Sequence, residues 1–169
     1  MNKKIILIIF ILLVIGLAVF FIYPKLQQIK IDQYNKEQLT AFTNFTKNFE
    51  NAMKADTYGG KTPEETLNLF IAALEKNDID LAAKYFALNS DDKSKYYLTR
   101  QPWADGLYKA KEKGLLADMI KLLKQAKPAG SAMEGYYGFE IRDENGQLLS
   151  DINMIFNQYS KVWKIESIM

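Results

Sequence analysis

Residues 62–86 read TPEETLNLFIAALEKNDIDLAAKYF. Thr62 is an N-cap residue, Pro63 suits the first helical position, and Glu65 stands three residues beyond the cap, the spacing of a capping box. Glu64 and Glu65 also complement the positive end of the helix dipole. Leu67, Phe70, Ile71 and Leu74 then recur at intervals of three and four, which places them on one buried stripe. Asn77 stops this helix and Asp78 can cap a second, from which Leu81, Ala82, Tyr85 and Phe86 pack back. The small side chains of Ala72, Ala73, Ala82 and Ala83 allow the two helices to approach closely. The stretch predicts a helical pair and contains no chemical motif.

Downstream of the pair, short helical segments are expected at residues 92–99 and 103–113, punctuated by Pro102 and Gly114. A better helix is expected at residues 115–125, with Leu116, Met119, Ile120 and Leu123 on one face. Lys127, Pro128, Ala129 and Gly130 read as a loop. The period then changes to two. Residues 133–142 alternate through Tyr137, Phe139 and Ile141. Asn145-Gly146 is a strong hairpin signal. Residues 148–157 alternate through Ile152, Met154 and Phe156, and residues 162–168 form a last strand with Trp163 and Ile165 facing inward. Helices followed by an antiparallel meander define an α+β class.

Upstream, residues 5–23 (IILIIFILLVIGLAVFFIY, from Ile5 to Tyr23) hold no charge. A helix of that length rises about 28 Å, close to the roughly 30 Å of a bilayer's hydrocarbon layer. The run is longer than a signal-peptide core, and Val19-Phe20-Phe21 stands where a cleavage site needs small residues. A retained transmembrane helix is expected, closed by Tyr23 and Pro24. Residues 1–4 would be a cytoplasmic tip, residues 24–56 a juxtamembrane helix or linker with Phe42, Phe45, Phe49 and Met53 on one face, and residues 57–169 the folded domain. Asp56-Thr57-Tyr58-Gly59-Gly60 breaks the helical pattern. The short tip before a long domain places that domain outside the cytoplasm, with the chain in the cell membrane.

Composition narrows the chemistry. Histidine and cysteine are both absent among the 169 residues, so imidazole bases, thiolates and the usual soft-metal ligands are missing. No cofactor is expected. All 20 acidic residues follow Tyr23, and apart from Lys3 and Lys4 so do the 22 basic ones. The chain beyond the apolar run is thus neutral and lacks the basic footprint of a nucleic-acid binder. Asn77-Asp78-Ile79-Asp80 and Asp143-Glu144-Asn145-Gly146 fall short of a calcium loop, and a cap and a turn account for them.

The helix pair of residues 62–86, with its acidic capped start, phenylalanine, alanine-leucine and acidic break, resembles the opening of NTF2-like domains, in particular small bacterial membrane-attached ones. Val162-Trp163-Lys164-Ile165 resembles their last strand. The resemblance covers residues 57–169 and implies a helical wedge packed on a small antiparallel sheet, with a pocket between. Such domains usually place a strand between the second and third helices, where this sequence reads helical; Tyr96, Tyr97 and Leu98 could supply a short one. The resemblance leaves two functions open. One is a binding or assembly module for a protein partner or a small apolar ligand, with Tyr96, Tyr97, Trp103 and Tyr108 as candidate contacts because such rings are apolar at one end and polar at the other. The other is an isomerase or dehydratase with a carboxylate base, for which Asp105, Glu140 or Asp151 would serve. No acid–base spacing marks a site, and the sequence points to binding rather than catalysis.

Overall fold

The computed structural model describes residues 3–131 and 133–169. Met1 and Asn2 of the expected tip lie outside them. The chain divides into two compact units, Met1–Asn48 and Phe49–Met169. Helix α1 spans Lys3–Ala55 and contains Pro24. The proline therefore does not close the helix at Tyr23. It removes one backbone N–H from the ladder, a loss confined to one turn, and the good helix formers after it resume the bonding. In the first unit, large apolar side chains such as Leu12, Phe20 and Phe21 are exposed on all sides of the helix. Its most apolar window has a mean hydropathy of 2.0, with none of it buried in protein. This helix is long and apolar enough to cross a membrane, consistent with a single-pass membrane protein.

The second unit is α+β. After the end of α1 come α2 (Pro63–Glu75), α3 (Ile79–Lys84), α4 (Gln101–Glu112) and α5 (Leu116–Leu123), then strands β1 (Lys127–Gly130), β2 (Tyr136–Arg142), β3 (Leu148–Asn157) and β4 (Val162–Ile168). The sheet is an antiparallel meander in the order β1-β2-β3-β4. Thr62 Oγ1 accepts from the Glu65 N–H at 3.1 Å and Asp78 Oδ1 from the Leu81 N–H at 2.9 Å, so both caps form. The return arm of the capping box lands one residue early: Glu65 Oε2 accepts from the N–H of Lys61, at 2.6 Å. Leu67, Phe70, Ile71 and Leu74 are buried, as are Ile79, Ala82, Tyr85 and Phe86. They meet Phe139, Ile141, Ile152, Met154 and Ile165 of the sheet in one core.

Two expected elements are corrected. Residues 92–99 are turns rather than helix. Asn89 Oδ1, Asp91 Oδ1 and Ser94 Oγ each accept a backbone N–H two residues on, and Asn89 pairs its backbone with Leu98 and Thr99. These local bonds outcompete helix formation. Residues 127–130 form an exposed edge strand rather than a loop. Pro128 is tolerated there because an edge strand needs only one side of its ladder.

The outer edge of β4 is closed by other parts of the chain. Ile165 N–H donates to Tyr85 O at 2.9 Å, its carbonyl accepts from Ala87 N–H at 2.7 Å, and Trp163 N–H donates to Gly60 O at 2.9 Å. Residue 86 thus makes a one-residue parallel bridge to Ile165, and residues 96–98 are turn rather than a short strand. Gly59 makes this approach possible. Its φ is +151°, and a Cβ there would stand 2.2 Å from the Trp163 carbonyl oxygen. Thr66, fully buried on α2, fastens the same corner: its hydroxyl accepts from Gly60 N–H at 2.8 Å and donates to Trp163 O at 3.1 Å.

Candidate functional site

β4 does not alternate as its sequence suggests. Ile165 is fully buried, but Trp163 is only half-buried at the core margin, beside Phe156 and Tyr137. Between them Lys164 is 1% exposed. The Lys164 face of the strand is covered by protein rather than water. Lys164 Nζ donates to Asp56 Oδ1 at 2.7 Å, to Tyr58 O at 2.6 Å and to Lys84 O at 2.6 Å. Three N–H groups meet three acceptors, so the ammonium is saturated. The other oxygen of Asp56 pairs with Arg100, whose Nε donates to Phe86 O. Asp56 is 6% exposed. This cluster joins the residue after α1 to the end of α3, the start of α4 and the last strand. Burial pushes the Lys164 ammonium down to about 8, the Asp56 charge works against that shift, and Arg100 adds to it.

Beside the cluster lies a cavity of about 370 Å³. Met53, Leu88, Trp103, Ile155 and Phe156 supply its apolar wall, and Asp56, Lys164, Thr99, Asn89 and Glu166 its polar groups. The volume suits a small ligand. Thr99 Oγ1 already accepts from the Gln101 N–H at 3.0 Å, which leaves its hydroxyl proton to donate. Trp103 is stacked on the core ring of Phe86, centroids 4.4 Å apart and 13° from parallel, so one face of the indole is fixed by packing.

Trp103 lines the cavity; Tyr96, Tyr97 and Tyr108 do not. Tyr97 is half-buried, and burial first, then the charge of Asp92, holds its phenol above the usual range. Tyr108 is exposed on α4 and donates to Asp80 Oδ1 at 2.8 Å, a bond that raises its pKa. Tyr96 lies in the turn segment with Lys95 over its ring.

The candidate bases stand apart from the cavity. Asp105 lies on α4 and accepts from Gln101 Nε2 at 2.8 Å. Glu140 is paired with Arg142, and Asp151 accepts from Asn153 Nδ2 at 3.3 Å. Asp56, the buried carboxylate on the cavity wall, has a cation on each oxygen. Among the described residues no group of three or more acidic side chains is placed to hold a metal ion.

Sequence reasoning missed the Asp56–Lys164–Arg100 cluster. Asp56 reads as part of a helix break and Lys164 as the polar member of an alternating strand. The one available signal is that Lys164 has apolar neighbours on both sides, in Val-Trp-Lys-Ile. No protein-family model, curated protein or solved structure matches the chain.

Proposed function

We propose that this chain is a membrane-anchored binding module whose domain, NTF2-like in kind, lies outside the cytoplasm and takes a small ligand in the cavity beside Lys164. The reading rests on one observation: the cavity is walled by apolar side chains, and the buried carboxylate on it is tied up by two cations. A base must have an oxygen free to receive a proton, and Asp56 has both committed. The isomerase alternative lacks a free carboxylate on this wall except Glu166, which is solvent-exposed. The NTF2-like reading is supported by the capped helix pair, the bridge from residue 86 to the last strand, and the meander that follows.

The test uses the full chain in lipid nanodiscs, with empty nanodiscs as the blank, and a neutral aromatic probe, 3-phenylpropanamide. Saturation-transfer NMR should detect binding to the wild type that is lost in Ala87→Phe, which puts a ring into the cavity. Equal signals from the two proteins would remove the cavity from consideration. The chain has no native cysteine, so a single Lys113→Cys substitution labelled by an impermeant maleimide in intact cells reads the orientation. Labelling only after lysis would place the domain inside.

A further inference from the structure

We infer that the cavity ligand is a small amphipathic anion, an aryl or short-chain alkyl carboxylate, with its apolar body on Trp103, Ile155 and Phe156 and its acid toward the wall that carries Thr99 and Lys164. The inference rests on the binding reading above and deepens it. Its first support is charge. Asp56, Lys164 and Arg100 form a cluster of one carboxylate and two cations, with side chains 3%, 1% and 18% exposed. One positive charge is therefore left uncompensated away from water. Charges in such surroundings act more strongly than exposed ones. The second support is hydrogen bonding: Thr99 presents a hydroxyl whose acceptor side is already used. The third is shape. An apolar wall of this size covers one ring or a short chain, and the stacked indole of Trp103 is held rigid for it.

The charged groups lining the cavity are Asp56, Lys164 and Glu166. Glu166 opposes an anion, but it is exposed, so water screens it while the buried cluster keeps its field. A ligand cation would gain only this screened carboxylate and would meet the excess positive charge within.

Three probes of matched shape separate the possibilities: 3-phenylpropanoate, 3-phenylpropanamide and 3-phenylpropylamine, titrated at pH 7 against the full chain in nanodiscs. The anion should bind about fivefold or more tightly than the amide, and the amine weakest, as expected for one net buried charge acting through protein. Glu166→Gln should strengthen the anion more than it changes the amide. Thr99→Val should weaken the anion more than the amide. Equal binding of all three, or preference for the amine, overturns the anion assignment while leaving the cavity as a binding site. Absence of binding by all three, in wild type and Glu166→Gln alike, overturns both.

Discussion

Replacing Asp56 with Asn keeps the shape of the side chain and removes its charge. The cost can be worked out group by group. In the wild type, Lys164 already titrates near 8 against an ordinary 10.5. At pH 7 that lowering corresponds to roughly 3 kcal/mol of destabilisation by the buried charge. Without Asp56 the shift deepens, but only until the lysine gives up its proton. At pH 7 that ceiling is roughly 5 kcal/mol. The lysine can therefore add no more than about 1–2 kcal/mol to the cost. Arg100 has no such escape, because its guanidinium stays charged at any accessible pH. Leaving this buried cation without its ion-pair partner adds about 1–3 kcal/mol. The expected total is about 3–4 kcal/mol at pH 7, within the range for breaking a buried ion pair. Urea unfolding of the full chain in detergent provides the assay. The chain's two tryptophans, Trp103 and Trp163, both lie in the second unit, so fluorescence reports on that unit. About 1 kcal/mol of the deficit should disappear by pH 9.5, where Lys164 is neutral in both proteins. A deficit below about 1 kcal/mol, in the range of exposed sites, would refute the cluster as described. A large deficit that does not change with pH would refute the account of the lysine.

Comparison of the wild type with Lys164→Met isolates the lysine's own pH dependence. Its folded pKa lies below the unfolded one, so between pH 8 and 10.5 the unfolded chain holds more protons and stability rises with pH. From pH 7 to pH 10 the wild type should gain about 2–3 kcal/mol on the variant; a flat or falling difference would contradict burial of the ammonium. Thr66→Val should cost about 1–3 kcal/mol by stranding the Gly60 N–H and the Trp163 carbonyl, measured as a shift in urea midpoint at constant slope. Gly59→Ala should cost more than about 1–3 kcal/mol, because strain from the positive φ adds to overpacking against a backbone oxygen. A neutral Gly59→Ala melting curve would mean that the backbone does not approach β4 so closely.

Most of the helical half was legible because its signals are local. Thr62, Pro63 and Asp78 act on groups within three residues of themselves, and the stripe of Leu67, Phe70, Ile71 and Leu74 is a property of one helix. The extents of β3 and β4 were legible for the same reason, since the alternation of β3 and the turns that bound both strands are written along the chain. The apolar run of residues 5–23 needs only its own length. What tertiary structure decided is wherever one segment's surroundings are supplied by another. Pro128 joins a strand because β2 offers it a partner. Residues 92–99 turn because Asn89 closes the loop across its base. Trp163 retreats to the core margin and Lys164 goes inside because Asp56, Tyr58 and Lys84, distant in sequence, bring a carboxylate and two carbonyls to the far face of β4. A lysine is written the same way in a sequence whether it meets water or three acceptors. The energy of burying its charge depends entirely on groups that folding alone brings together.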